Sequence, residues 1–199
     1  PLYKGSLYVN SLYTGQWADY IFQDLIEHID TYYRTIPDKI HRSLMGASMG
    51  GYGALYGGIH HPDKFNSIVA ISPLLNPVDL LDYHMIIPLY KKLYGIKKAK
   101  RMGDAELVDT LDTIDLIFSS NARLIKESED PTIRQISHDS KLGFENWNKV
   151  NLFPQIKDNP KAFHDTHLLF NSEISDEYNI SPQVEQLHQL LSELEIPHH

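Results

Sequence analysis

A serine between small residues is the pattern in this chain that most directly indicates catalysis. Gly46-Ala47-Ser48-Met49-Gly50-Gly51 follows a short apolar run and precedes a segment with helical character. Gly-x-Ser-x-Gly between a strand and a helix is typical of a nucleophile elbow, a sharp turn that presents the serine hydroxyl above a sheet. Glycine is expected at positions 46 and 50, because a side chain there would collide with the neighbouring strand or helix. The pattern predicts acyl transfer through Ser48.

The helix predicted after the serine contributes to the same chemistry. Its first backbone N–H groups have no carbonyl partner within the helix, and its dipole favours negative charge at that end. The N–H of Met49, the residue after the nucleophile, is therefore the candidate first donor of an oxyanion hole.

The segments around the motif have the periodicities that such a turn requires. The apolar run 40–45 is predicted as the strand before the elbow, and the helix after it is expected to end near His60. Residues 65–72 are rich in β-branched side chains, as expected for a buried parallel strand. Strand, elbow, helix and strand in this order predict a right-handed βαβ unit with Ser48 at its turn.

Further elements are predicted upstream and downstream. Apolar spacing predicts a helix over 20–33, and Leu7-Tyr8-Val9 is interpreted as the end of a strand in the same sheet. Residues 166–170 are predicted as another strand. A helix is expected to follow, with Ser181 as its N-cap and Pro182 in its first turn.

The middle of the chain has a different pattern. From about 76 to 150 only helical pieces are evident, between segments predicted as strands of one sheet. We interpret 1–199 as a single domain and 76–150 as a helical insertion within it. Such an insertion is expected to form a lid or the wall of an acyl pocket.

The elbow sequence resembles that of a known family. Gly-Ala-Ser-Met-Gly-Gly-Tyr-Gly-Ala-Leu at 46–55 is similar to the elbow of the Putative esterase family of the α/β-hydrolase superfamily, which includes esterase D, feruloyl esterases and mycolyltransferases. The similarity extends to 24–33, 61–65 and 168–178. It implies an α/β fold, with a mostly parallel sheet flanked by helices, and serine-dependent hydrolysis of carboxylic esters through an acyl-enzyme on Ser48.

The resemblance also implies a triad in the chain order Ser, acid, His. Asp176 is the candidate acid because it lies just past a predicted strand end, where it would orient an imidazole. Glu173 is the alternative acid, and it stands where the family usually has a glycine.

None of the histidines after Asp176 suits the role of the base. His188 falls inside a predicted helix, and His198 and His199 lie at the start of the last expected strand. Two earlier histidines, at 60 and 61, are predicted to be cations at the C-terminal end of the elbow helix.

The expected third triad member and the second oxyanion donor are not recognisable in this chain. The family marks that donor with a His-Gly loop, and the sequence ends where the family begins its last strand. The chain is therefore expected to be a fragment that lacks both ends of the domain. Loss of one oxyanion donor costs about 10²–10³ in rate, and loss of the base costs more, so the isolated piece is expected to be nearly inactive.

Composition limits the classes of partner. The formal net charge of −8 argues against nucleic acid, and no apolar stretch approaches the ~20 residues needed to span a bilayer. The absence of cysteine excludes thiol catalysis by this chain. No cofactor or metal is expected, since His164-Asp165-x-His167 is only a weak ligand pattern. The expected partner is a small-molecule or carbohydrate-linked ester, while oligomeric state and compartment remain open.

Two alternative functions use the same features. An acyltransferase of the same fold would pass the acyl group from Ser48 to an acceptor other than water. A non-catalytic binding protein would keep the elbow only for its geometry. Product analysis with an alcohol acceptor distinguishes the first, and organophosphonate labelling of the serine distinguishes the second.

Overall fold

The computed structural model of the protein describes residues 7–11, 15–76, 150–173 and 180–199. Asp176 and nearly all of the predicted insertion, 76–150, lie outside these ranges. The single-domain organisation and the lid therefore stay predictions. Among the described helices, none combines the length and the apolar character that crossing a bilayer requires.

Residues 10–32 form a short unit upstream of the main sheet. Two short strands pair antiparallel, with Asn10 opposite Gln16, and the second leads directly into a helical run. The elements are β1 (Asn10–Ser11), β2 (Gly15–Gln16), α1 (Trp17–Asp19), a π-helical turn (Tyr20–Asp24) and α2 (Leu25–Tyr32).

The main sheet contains three described strands, all parallel, in the order β3-β4-β5. Helix α3 connects the first two strands, so the predicted strand–elbow–helix–strand unit is present. The elements are a 3₁₀ turn (Lys39–His41), β3 (Ser43–Ala47), α3 (Met49–His60), β4 (Ser67–Ile71), α4 (Leu152–Asp158), a second 3₁₀ turn (Pro160–Phe163), β5 (His167–Asn171) and α5 (Ser181–Glu193).

The chain continues the sheet after α5. The backbone N–H of His199 donates to Leu168 O, and the N–H of Phe170 donates to His199 O, both at 3.0 Å. This bonding of one residue to two residues of β5 is the pattern of a parallel neighbour. His199 therefore lies beside β5, at the position expected for a further strand.

The core lies on one face of the sheet. Ile68 and Leu168 point to that face and are 0% and 2% exposed. Helices α3, α4 and α5 cover them with buried side chains, and each fully buried leucine or isoleucine contributes about 1.5–3 kcal/mol. Helix α3 packs closely against its neighbours because two of its positions, Gly57 and Gly58, carry no side chain. A Cβ at Gly57 would lie 2.6 Å from Phe22, and one at Gly58 would lie 2.9 Å from Phe163.

The opposite face of the three strands is open among the described residues. Met45, Ile71 and Leu169 alternate with the buried positions and are 75%, 41% and 44% exposed. Parallel sheets usually carry helices on both faces. The described helices cover only the face that holds Ile68.

A partly buried ion pair connects the end of α2 to the entry of β3. Arg42 Nη2 donates to Asp30 Oδ2 at 2.6 Å, and Nη1 donates to Lys64 O at 3.1 Å. Thr35 Oγ1 donates to the other carboxylate oxygen at 2.8 Å. These bonds hold the start of the strand that ends at Ser48.

Two predictions about the strands were wrong. Leu7 and Tyr8 form a turn with positive φ values of 49° and 59°, so this segment is not a strand of the main sheet. Ile40 lies in the 3₁₀ turn before β3 and is 71% exposed. The side chain of Asp38 accepts the N–H of His41 at 3.1 Å, and this cap stabilises the turn.

Two predictions about the helices also need correction. The helix predicted over 20–33 begins at Trp17 and is interrupted by the π-helical turn. Most of its predicted apolar face is exposed, whereas Ile21 is half-buried and Phe22 is buried. Ser181 is the first helical residue rather than the N-cap, and its hydroxyl accepts from Ser172 Oγ at 3.3 Å.

Candidate active site

Ser48 occupies the turn between β3 and α3 with φ 53° and ψ −117°. This region of backbone space is costly for a residue with a Cβ and persists only where surrounding structure imposes it. Three backbone bonds do so. Ser48 N donates to Ile71 O at 2.9 Å, and Ser48 O accepts from Tyr52 N at 3.1 Å and Leu74 N at 3.2 Å. The side chain is exposed and does not cap α3.

The glycines around Ser48 are not equally constrained. A Cβ at Gly46 would overlap the carbonyl group of Gly50, and a Cβ at Gly51 would lie 2.9 Å from Pro73 Cα. At Gly50 the nearest atom of another described segment, Tyr8 Oη, would be 3.7 Å away, an ordinary van der Waals distance. The collision predicted for a side chain at position 50 is therefore not found among the described residues. The tight positions are 46 and 51.

The first turn of α3 faces the same region as Ser48. Met49 is the first residue of this 12-residue helix, so no intrahelical carbonyl can accept its N–H. The positive end of the helix dipole lies at the same point. A negatively charged oxygen bound there would gain a charge-assisted hydrogen bond.

The register of the sheet aligns the ends of the three strands. Ala47 pairs with Ile71, and Ile71 pairs with Asn171, so Ser48 and the residues after β5 leave from one edge of the sheet. The outer two strands are separated by two strand spacings, roughly 10 Å. Glu173 lies two residues past the end of β5 and is exposed.

Tyr8 is a neighbour of the elbow that sequence reasoning did not connect with it. A Cβ at Gly53 would lie 2.6 Å from the Tyr8 ring, and the hydroxyl lies over Gly50. The glycine at 53 therefore accommodates this ring. The local sequence pattern does not predict this contact. The turn at residues 7–8 packs against α3, the helix that begins at Met49.

No histidine in the described part of the chain hydrogen-bonds Ser48. His60 Nε2 lies 2.8 Å from Gln155 Oε1, and His61 stacks on Phe22 with ring centroids 5.1 Å apart. Burial, together with the nearby charge of Lys64, lowers the pKa of His61 below its ordinary value. This shift favours the neutral ring and so argues against the prediction that His61 is a cation at the end of α3.

Tyr52, four residues after the nucleophile, is a packing residue. It is fully buried, and its hydroxyl has no hydrogen-bond partner among the described residues. Burial raises the pKa of this hydroxyl, so it stays protonated over the physiological range. Within 7–11, 15–76, 150–173 and 180–199, no three His, Asp or Glu side chains converge as metal ligands. His164, Asp165 and His167 therefore do not form such a group.

A buried glutamine on α5 holds the segment that contacts the elbow. Gln183 is 3% exposed, and its Oε1 accepts the N–H groups of Leu75 at 2.9 Å and Asn76 at 2.8 Å. Its Nε2 donates to Asn76 O at 3.4 Å. Leu74, next in the chain, donates to Ser48 O. Helix α5 therefore holds the segment 74–76, which follows β4, beside the nucleophile.

We expect Gln183→Leu to destabilise the protein by about 2–4 kcal/mol, because it leaves two backbone N–H groups without their acceptor at about 1–3 kcal/mol each. Urea denaturation measures this free energy. Gln189→Leu is the matched control, since Gln189 is an exposed residue of the same helix with one 3.3 Å bond to Glu185. The control is expected to change stability by less than about 0.5 kcal/mol. Equal midpoints for both variants would contradict the assignment.

Solved structures similar to this chain include an esterase and two hydrolases. A ferulic acid esterase aligns with 96% of this chain and 54% of its own, with a TM-score of 0.56 and 15% identity. Two Staphylococcus aureus proteins align similarly: the fluorophosphonate-binding serine hydrolase FphF (TM-score 0.56, 17% identity, 98% and 58% coverage) and the S-formylglutathione hydrolase FrmB (TM-score 0.54, 17% identity, 98% and 59% coverage). These similarities show an α/β-hydrolase fold, as predicted.

Similarity at the level of sequence is local but higher. The S-formylglutathione hydrolase of Rattus norvegicus is 37% identical over 59 residues, which cover 30% of this chain and 20% of that protein. The Bos taurus protein of the same description is 36% identical over 59 residues, with the same coverage. The chain thus matches only about a fifth of the length of these relatives.

A protein-family model described as "Putative esterase" matches residues 9–147, which include the elbow. The matched range covers more than half of the chain. With the strained serine, the parallel sheet and the α/β-hydrolase fold, this match identifies the chain as a member of the Putative esterase family.

Proposed function

We propose that the protein hydrolyses carboxylic esters through an acyl-enzyme on Ser48. The observation that carries this proposal is the backbone of Ser48, held at φ 53° and ψ −117° by three hydrogen bonds, with an exposed side chain. Packing alone gives no reason to maintain such strain. A nucleophile at the crest of a sheet requires it.

The described backbone supports the following sequence of steps. Ser48 Oγ attacks the carbonyl carbon of the ester, and its proton passes to the histidine base that the family resemblance implies, which is not among the described residues. The negative charge that develops on the carbonyl oxygen is stabilised by the N–H of Met49 and the dipole of α3. Collapse of this intermediate breaks the ester C–O bond, and the base returns the proton to the departing alkoxide. Water then attacks the acyl-enzyme by the same route.

We propose Asp176 as the acid that orients the base, with Glu173 as the alternative. Support comes from the register of the sheet, because the residues after β5 leave from the edge that carries Ser48. The ends of β3 and β5 are roughly 10 Å apart, so an imidazole placed over β4, between them, would reach both the serine and the acid. The near inactivity of residues 1–199 alone stays a prediction. The described histidines do not reach Ser48, and this agrees with it.

The substrate class that we propose is a small-molecule or carbohydrate-linked ester. The relatives are described as acting on S-formylglutathione, a thioester, and on ferulic acid esters. Both reactions need only an electrophilic acyl carbon and a leaving group whose departure is assisted by a proton. Both reactions would use the same nucleophile, Ser48, and the same oxyanion donor, the N–H of Met49.

Fluorophosphonate labelling of the intact protein tests the proposal. An activated serine forms a covalent phosphonyl adduct, whereas an ordinary serine hydroxyl does not react. Mass spectrometry is expected to find the adduct on the peptide that contains Ser48. Absence of any adduct on Ser48, in a protein shown to be folded by circular dichroism, would favour the non-catalytic binding protein. A labelled protein that forms mainly transfer product with an alcohol acceptor would be an acyltransferase.

A further inference from the structure

A pair of histidines lies outside the proposed esterase site. His188 Nδ1 and His198 Nε2 are 2.8 Å apart, with the two rings nearly perpendicular and their centroids 5.0 Å apart. His188 lies in the middle of α5, and His198 lies in the segment that returns to pair with β5. The two imidazoles therefore come from different elements and meet through the fold. His188 is exposed and His198 is half-buried, so solvent reaches them.

The hydrogen bonds determine which nitrogen carries each proton. His198 Nδ1 lies 2.7 Å from Ile196 O, and a carbonyl oxygen can only accept, so this nitrogen carries the hydrogen. In the neutral ring, His198 Nε2 is then the lone-pair atom, and His188 Nδ1–H donates to it. An imidazole whose second nitrogen donates to a backbone carbonyl is the arrangement found around metal-binding histidines.

The ring of His198 is also held in position by packing. It stacks on Phe170 with centroids 5.5 Å apart and planes 18° from parallel. The adjacent His199 is bonded to β5 on both sides, which fixes the backbone. One ligand is thus preorganised, while the exposed His188 side chain can adjust.

We propose that His188 and His198 form a binding site for a divalent transition-metal ion such as Zn²⁺, with water as the remaining ligands. Neutral imidazole suits Zn²⁺, Cu²⁺ and Ni²⁺. With Zn–N bonds of 2.0–2.1 Å, two nitrogens of a tetrahedral site are about 3.3 Å apart, so the pair must open by about 0.5 Å. His188 shifts its hydrogen from Nδ1 to Nε2 on binding, which frees the Nδ1 lone pair with no net release of a proton.

The structure gives the site two protein ligands, since no third His, Asp or Glu converges among the described residues. Such a site differs from a closed structural zinc site, in which four protein ligands surround the ion. It leaves coordination positions open to water or to another molecule. The expected role is reversible binding that links α5 to the segment beside β5.

Titration of the intact protein with Zn²⁺, followed by calorimetry, tests this site. Two preplaced ligands bind a metal ion more tightly than one. We therefore expect His188→Gln and His198→Gln each to weaken the affinity for the most tightly bound Zn²⁺ ion at least about tenfold. His28→Gln is the matched control, because it removes an exposed histidine from α2. This control is expected to leave the affinity for the most tightly bound Zn²⁺ ion unchanged.

A second measurement separates metal binding from folding. Zn²⁺ is expected to raise the Tm of the wild type and of His28→Gln, but not of the two site variants, whose Tm without metal shows that they are folded. With Cu²⁺, the electron paramagnetic resonance spectrum of the wild type should show coupling to two imidazole nitrogens. Equal Zn²⁺ affinity in the wild type and His188→Gln would overturn the proposal. So would a copper spectrum without nitrogen coupling.

Discussion

Ser48→Ala is expected to lower kcat for an ester substrate at least about 10⁴-fold, because it removes the atom that forms the acyl-enzyme. Stability should change little. The hydroxyl makes no capping bond, and the three bonds that hold this residue use its backbone. Steady-state hydrolysis of a p-nitrophenyl ester by the intact protein measures the rate, and urea denaturation measures the free energy of unfolding.

Ser67→Ala provides a matched control for this loss. Ser67 is the first residue of β4, at the end of the sheet opposite Ser48. The control is expected to keep full activity and full fluorophosphonate labelling. If Ser48→Ala retained more than a small fraction of the wild-type kcat, the acyl-enzyme mechanism would be wrong, whatever the family of the protein.

The unit around the nucleophile was predictable because local signals agree there. A glycine-rich turn, a helix of small residues and a β-branched run each favour one local structure, and together they favour one βαβ arrangement. The strand predicted over 166–170 was recognisable for the same reason, and β5 spans His167–Asn171. The start of β3 was placed too early. The cap from Asp38 stabilises a 3₁₀ turn that contains Ile40, and hydrophobicity gives no sign of such a cap.

Other errors came from tertiary contacts, which the local sequence does not contain. The charge of His61 depends on burial against Phe22, a residue 39 positions earlier in the chain. The hydrogen bond from the Leu75 N–H to Gln183 Oε1 joins residues separated by 108 positions, and no sequence motif predicts it. Leu7-Tyr8-Val9 has the composition of a strand, but Tyr8 packs on Gly53, and the chain turns to allow it.

The glycines of the elbow show that the spacing of a sequence motif does not predict how much room each position has in the structure. The motif Gly-x-Ser-x-Gly assigns the same importance to positions 46 and 50. In the structure the carbonyl group of Gly50 fills the volume beside Gly46, while the described residues leave the volume beside Gly50 open up to the Tyr8 hydroxyl. The pattern identifies the turn, and only the packing of α3 against β3 identifies which glycine is irreplaceable.

Gly46→Ala is accordingly expected to have the second-largest effect. Its methyl group would occupy the position of the Gly50 carbonyl, so the first turn of α3 must move away from β3. Overpacking of this kind typically costs about 1–3 kcal/mol of stability. A displacement of about 1 Å at the oxyanion donor and the nucleophile can lower kcat by roughly 10². Both effects are measured with the ester assay and urea denaturation used for Ser48.

Gly50→Ala is the matched variant, with the same chemical change four residues later. In the part of the chain that the structure describes, its methyl group would meet the Tyr8 hydroxyl at 3.7 Å and no closer atom of another segment, and alanine favours the helix by up to about 1 kcal/mol over glycine. We expect this variant to be at least as stable as the wild type and to keep most of its activity. The ratio between the two variants is the informative quantity, since general damage to the turn would affect both. Similar losses in both would show that the elbow is not held by the contact between Gly46 and Gly50.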